Sequence, residues 1–190
     1  LDPTIINGGV LNSFGNSAKL GKSNWCVTES DESDGSFLKI PFTYSIVTNL
    51  DAEHLDFYKN INNLKKSFLK FLEKIPSLGK GFICHDDQNL KKLITKSNNK
   101  NFYTYGKNKK SNFQIINIKQ TTNFSNFDIK VNIPSKKKII RGIKIPMIGD
   151  HNIQNATAAV SLAFTIGLPQ KNIKVGLHNF KGVQRRFSHL

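Results

Sequence analysis

Acidic residues are scarce in this 190-residue chain: 13 Asp and Glu stand against 28 Lys and Arg, a formal charge of +15. Sulfur is scarcer, with two cysteines and one methionine. Cys26 lies in "NWCVTE" and Cys84 in "GFICHDD", far apart and each inside an apolar run. That argues against a disulfide or a cysteine metal site, and two buried free thiols are expected. Long hydrophobic runs are missing too. No stretch approaches the roughly 20 apolar residues of a membrane span, and the opening "LDPTIINGGVLNSFG" has neither the basic nor the apolar region of a secretory leader. The expectation is a soluble, cytoplasmic protein with no membrane partner. There is no internal repeat and no linker, so residues 1–190 are expected to form one domain.

The positive excess invites a nucleic-acid reading, because clustered Lys and Arg release counterions from phosphate backbones. The distribution opposes it. Only "YGKNKKSN" and "PSKKKIIRG" are dense, and neither interleaves the aromatics of a base-stacking platform. A solvated lysine surface is expected, with no nucleic-acid partner, and it can steer an anionic nucleotide substrate. A non-catalytic, nucleic-acid-binding module is the rival class; its affinity would fall steeply with salt.

Short β-rich runs alternate with helix-like segments, the pattern of an α/β domain. "NWCVTE" and "YSIVTNL" read as buried strands, and "GKGFICHDD" as a strand running into an acidic turn. Ile61, Leu64, Phe68, Leu72 and Ile75 recur at helical spacing before Pro76 stops the helix. "NFYTYG" follows, and "SNFQIINIKQTTNFSNFDIKVNIP" alternates like an antiparallel hairpin or small sheet. "NIQNATAAVSLAFTIG" predicts an alanine-rich helix closed near Gly167, and "PQKNIKVGLHNF" a shorter one. The stretch "GNSAKLGKS" imitates a phosphate-binding loop but has five residues between its glycines, not four, and runs into a strand rather than a helix.

Four carboxylates, Glu29, Asp31, Glu32 and Asp34, crowd into six residues of "TESDESDGSFLKIPF". Ligand crevices of open α/β sheets lie beyond the carboxyl ends of parallel strands. Glu29 ends one predicted strand and "TNLDAEHLDFY" follows another, which would set Glu29, Asp51, Glu53, His54 and Asp56 along one edge. Carboxylates there suit Mg²⁺ arriving with nucleotide phosphates; His54 is the less usual magnesium ligand. A solvated, capped turn explains the same residues. In "GDHNIQNATAA", Asp150 or His151 could cap a helix, with Asn152 and Asn155 one turn apart on one face, where amides suit an adenine edge; an ordinary capped helix is the alternative. In "FKGVQRRFSHL", Arg185 and Arg186 are either phosphate forks or solvated arginines.

The order of "DPTIINGGVLNSFGNSAKLGKSNW", "ESDESDGSFL", "VTNLDAEHLDFY", "GDHNIQNATAA" and "FKGVQRRF" closely resembles the central, ATP-binding domain of the Mur ligases, in the branch that joins L-alanine to UDP-N-acetylmuramate. A related muropeptide-recycling ligase usually carries Tyr where this chain has Ser33. The resemblance implies a mostly parallel sheet flanked by helices, with a small antiparallel sheet. It implies ATP and Mg²⁺ as cofactors, a monomer or homodimer, and a reaction through an acyl phosphate on the lactyl carboxylate. By position, Glu29 is similar to the glutamate that holds magnesium on the ATP phosphates, and His54 to the histidine beside a second metal. His151, Asn152 and Asn155 match the adenine-side motif, and Arg186 the arginine that reaches ATP. The family's phosphate loop would lie upstream of Leu1, and its N- and C-terminal domains outside the chain. The expectation is therefore a fragment inactive as a ligase on its own. Glu53 stands where an aspartate often precedes the histidine, and descent into a pseudoenzyme remains open.

Overall fold

A computed structural model describes residues 1–183; Arg185 and Arg186 lie outside the described residues. The chain opens with a three-stranded sheet. Strand β1 (Thr4–Leu11) pairs antiparallel with β2 (Asn16–Lys19) and parallel with β3 (Cys26–Thr28). Residues 181–183 close on the far end of β1: Leu11 bridges Val183, and Asn12 donates from its backbone N–H to the Gly182 carbonyl (3.2 Å) and from its amide to the Lys181 carbonyl (2.9 Å).

Six further strands form the main sheet in chain order: β4 (Tyr44–Val47), β5 (Lys80–Cys84), β6 (Phe102–Gly106), β7 (Phe113–Gln120), β8 (Ser125–Ile133) and β9 (Lys136–Ile145). β4 to β7 are parallel, and β7, β8 and β9 antiparallel. The antiparallel hairpin expected in "SNFQIINIKQTTNFSNFDIKVNIP" is β7 and β8, which with β9 extend the parallel strands, and the small sheet is the one formed by β1 to β3. β5 is buried at four consecutive positions from Gly81 to Cys84, the sign of a parallel strand covered on both faces. β8 alternates, with Ser125, Phe127, Ile129, Val131 and Ile133 buried, because its other face meets solvent.

The helices follow from their patterns. The first, α1 (Leu55–Tyr58), is a single turn. α2 (Ile61–Glu73) buries Leu64, Phe68 and Leu72, and the Asn60 side chain caps it by accepting from Asn63 N–H (3.0 Å). α3 (Gln88–Lys96), which the sequence reading left without an element, buries Leu90 and Leu93 and is capped by Asp87, whose Oδ1 accepts from Leu90 N–H (2.7 Å). α4 (Asp150–Thr165) lies against β4 to β8 and α5 (Gln170–His178) against β9. Gly167, with φ 87°, ends α4 in the left-handed cap its position predicts.

Two expectations are corrected. β3 is exposed along its length, so "NWCVTE" is not a buried strand; it pairs only with β1, and Val27 is 55% exposed. Cys26 on that strand is consequently an exposed thiol, and only Cys84 is buried; both are free.

The antiparallel half carries two bulges at one level. Asn117 on β7, with φ 55°, and Gly142 on β9, with φ 63°, both face Asp128 of β8. Asp128 accepts from the Asn117 amide (2.8 Å) and from Gly142 N–H (2.7 Å). Burial raises the Asp128 pKa, but these two bonds and the charges of Arg141 and Lys174 outweigh it, leaving a net lowering. The folded state therefore favours the carboxylate. Its contribution is complete above the ordinary carboxylate range and is lost as pH falls through the lowered folded value. Asp128→Asn should reduce the urea midpoint near neutrality and flatten the acid limb of a stability–pH curve from denaturant titrations; an unchanged limb would refute this role.

Candidate functional site

The acidic run folds into a compact turn. Glu29 extends the pairing of β3, its N–H donating to the Ile6 carbonyl (2.9 Å), and its Oε2 accepts from Gly8 N–H (2.7 Å). A Cβ at Gly8 would stand 3.2 Å from that oxygen, so the glycine lets the carboxylate lie across β1. Downstream, Asp31 Oδ1 accepts from Ser33 N–H (2.6 Å) and Asp34 Oδ1 from Ser36 N–H (2.8 Å). The Ser33 bonds hold the Asp31 carboxyl below its usual range, against a smaller effect of burial and with help from His54; the Ser36 bonds do the same for Asp34. After the turn Phe37 is buried and packs against Phe68 and Phe71.

Tyr58, in α1, fastens this turn from the other side, its hydroxyl donating to the Glu32 carbonyl. Burial, then the charges of Glu32, Asp34 and Asp31, push its phenol above the ordinary value. His54 opens α1 with φ 54° and ψ 34°, a left-handed conformation uncommon for a residue with a side chain. Its Nε2 lies 4.0 Å from Glu32 Oε1 and 4.0 Å from Glu53 Oε2. The three side chains offer ligand atoms within 4.8 Å of one another, and among the described residues no other three such donors gather as closely.

The expected edge residues are held by different elements. β3 and β4 belong to different sheets, so Glu29 is fixed by β1 while His54 gathers Glu32 and Glu53. Asp51 accepts from the Asn49 amide (2.7 Å) and Asp56 is exposed; neither joins the trio.

The second candidate surface is the start of α4. Gly149, with φ 96°, turns the chain into the helix, and its N–H donates to Gln120 Oε1 (3.1 Å). His151 and Asn155 are exposed four residues apart on one face. Asn152 is only 7% exposed, and its amide donates to the Ile148 carbonyl (2.7 Å). The Asn152–Asn155 pair expected on one open face is thus divided: Asn152 secures the entry loop, and His151 is the open neighbour of Asn155. Beside this entry runs an open cleft of about 730 Å³ between Pro146 and Met147 and the segment from His178 to Gly182.

Sequence reasoning missed Glu32 and Glu53 as the partners of His54, and treated "CHDD" only as a turn. The left-handed backbone at His54 has no sequence signature, whereas the Asp87-x-x-Leu90 cap was readable. His85 is pushed below its usual pKa by burial, with Lys91 next in effect, and its Nδ1 lies 3.3 Å from Ser111 Oγ.

The chain has known relatives. The chain matches the Mur ligase middle domain over residues 11–163. It is 60% identical to UDP-N-acetylmuramate–L-alanine ligase of Pelagibacter ubique (strain HTCC1062), covering 100% of this chain and 41% of that protein. To the ligase of the same name from Caulobacter sp. (strain K31) it is 43% identical, covering 99% of this chain and 40% of that protein. The chain thus spans about two fifths of the length of these curated relatives. Among solved structures it resembles the UDP-N-acetylmuramate:L-alanyl-gamma-D-glutamyl-meso-diaminopimelate ligase of Neisseria meningitides, with TM-score 0.79 and 22% identity, covering 97% of this chain and 59% of that one. It also resembles MurF from Acinetobacter baumannii, with TM-score 0.73 and 17% identity, covering 100% of this chain and 42% of that one. These structural likenesses are of fold.

The Tyr58 contact is directly testable. Tyr58→Phe leaves the Glu32 carbonyl without its donor and should cost about 1–2 kcal/mol, with faster amide exchange confined to residues 31–35. Unchanged exchange there would show that the turn holds without it.

Proposed function

The chain belongs to the Mur ligase family, in its middle domain, and on that premise we propose that it is the ATP-handling part of a cytoplasmic UDP-N-acetylmuramate–L-alanine ligase of peptidoglycan precursor synthesis. The observation that carries this reading is the 60% identity, across the whole chain, to a relative of that name. In the reaction, the γ-phosphoryl of ATP passes to the lactyl carboxylate and ADP leaves. The amine of L-alanine then attacks the acyl carbon, the carbon–oxygen bond to phosphate breaks, and an amide remains.

Two anions must meet in line, so their repulsion is the barrier the site has to lower. The donor set suits a hard divalent cation: carboxylates at Glu29, Glu32 and Glu53, with one imidazole at His54. In this proposal Glu29 holds the Mg²⁺ that would neutralise ATP phosphate oxygens and His54 stands beside a second metal, with Glu32 and Glu53 orienting the His54 ring. His151 and Asn155, exposed on the first two turns of α4, meet the nucleotide, with Asn152 holding the loop beneath them. Arg186 is assigned to ATP on the sequence resemblance alone.

The test is phosphate release from ATP by the full-length gene product, with UDP-N-acetylmuramate present and L-alanine added or withheld. Release should require both. Glu29→Ala and His54→Ala should each reduce it by more than the roughly 10–100-fold typical of losing a supporting residue around a metal. Release with the tripeptide L-alanyl-γ-D-glutamyl-meso-diaminopimelate in place of L-alanine would move the assignment to the recycling branch. No release from intact protein would reject the ligase reading.

A further inference from the structure

Asp86 follows β5 by two residues and joins three parts of the molecule. Its Oδ2 accepts from Lys107 N–H (2.7 Å) and from the Gln154 amide (2.9 Å), and its Oδ1 from Asn108 N–H (3.0 Å). Gly106, at the end of β6, makes the approach possible: its φ is 143°, and a Cβ there would fall 2.6 Å from Oδ2. The loop pinned in this way carries Lys107, whose ammonium pairs with Asp150 in the first turn of α4. Asp86 therefore holds that turn twice, directly through Gln154 and indirectly through Lys107 and Asp150.

The rest of α4 is held by contacts that have little directional preference. Ile153, Ala156, Ala158, Val160 and Phe164 are buried apolar groups, and the Thr157 and Ser161 hydroxyls bond back within the helix. Apolar burial fixes which face of α4 is covered but is non-directional, so oriented polar bonds add to the precision of its setting. Gly149 at the entry adds no side-chain cap. Among the described residues, the oriented side-chain bonds that reach the helix itself from the ends of β5 and β6 are those of Asp86 and Lys107, while Gln120 at the end of β7 holds only the Gly149 N–H that precedes it (3.1 Å).

We propose that Asp86 is a positioning residue for nucleotide recognition: the Asp86–Gln154 hydrogen bond, with the Lys107–Asp150 pair, sets the rotation of the first two turns of α4 and so presents His151 and Asn155 to the nucleotide. This rests on the ligase reading above. Binding groups that miss their partner by a fraction of an ångström lose much of their effect, which is why residues behind a site control it.

The test uses steady-state kinetics of the full-length gene product together with amide exchange. Gln154→Met keeps the side-chain length and removes the donor. It should raise KM for ATP about fivefold, the size expected of one part-buried hydrogen bond, with kcat and the other KM values within about twofold. Adding Gln154→Met to Asp86→Asn should raise KM for ATP no further than Asp86→Asn alone, because both act through one bond. Gln154→Lys, whose ammonium can donate to the same Oδ2, should restore KM. An unchanged KM in Gln154→Met, or a fall in kcat and Tm without a KM change, would overturn the proposal. If wild-type protein releases no phosphate, the ligase reading fails, and amide exchange at residues 152–155 decides separately. Faster exchange in Gln154→Met would uphold the positioning of the turn, and unchanged exchange would reject it.

Discussion

The candidate site depends on β5 being covered from both sides. A parallel strand has no face to leave in water, so each connection from β4 to β5 and from β5 to β6 must carry a helix back over the sheet. α2 and α3 are those connections, and Phe82 and Ile83, both fully buried, are what they and α4 enclose. Once β4, β5 and β6 run in one direction, their carboxyl ends open on one edge. Thr48 to His54, His85 to Asp87 and Lys107 to Asn112 emerge there, which is why His54, Asp86 and Lys107 share an end of the molecule although 53 residues of chain separate the first from the last.

Legibility followed the strength of the periodic signal. α2 has five apolar residues at helical spacing and a proline stop; β8 alternates without a fault; α4 has Gly167 at its end. α3 was hidden because it is short and shows only Leu90 and Leu93 among lysines. β1 and β2 were hidden by glycine and asparagine, which lower strand propensity. Cys26 was misplaced because an apolar run says that a segment pairs, not that anything covers it. At the candidate site, family resemblance singled out Glu29 and His54, while the grouping of Glu32 and Glu53 around His54 depended on one left-handed residue. Asn152 was assigned to the open face because its spacing from Asn155 is helical; burial, which spacing does not encode, separates the two.

The negative charges of this basic chain are also organised by backbone rather than by distance in sequence. Asp31 and Asp34 are occupied with Ser33 and Ser36, so they shape the turn. Glu29 and Glu32 are left at its two sides, one against β1 and one against His54. A cation held here would sit between a sheet and a helix turn, with the lysine-rich remainder of the surface attracting anionic substrates toward it.

β1 has a mechanical consequence of its own. Along one strand it carries the parallel pairing to β3 and Glu29 near Ile6 and Gly8, and the bridge to Val183 at Leu11. One strand therefore sets the spacing between the Glu29 carboxylate, held at Gly8, and Val183, held at Leu11. Gly9 lies along that line with Val183 so close that a Cβ would meet it at 2.7 Å. A side chain there would act as a wedge, forcing Val183 away from the strand that also carries the Gly8 contact to Glu29.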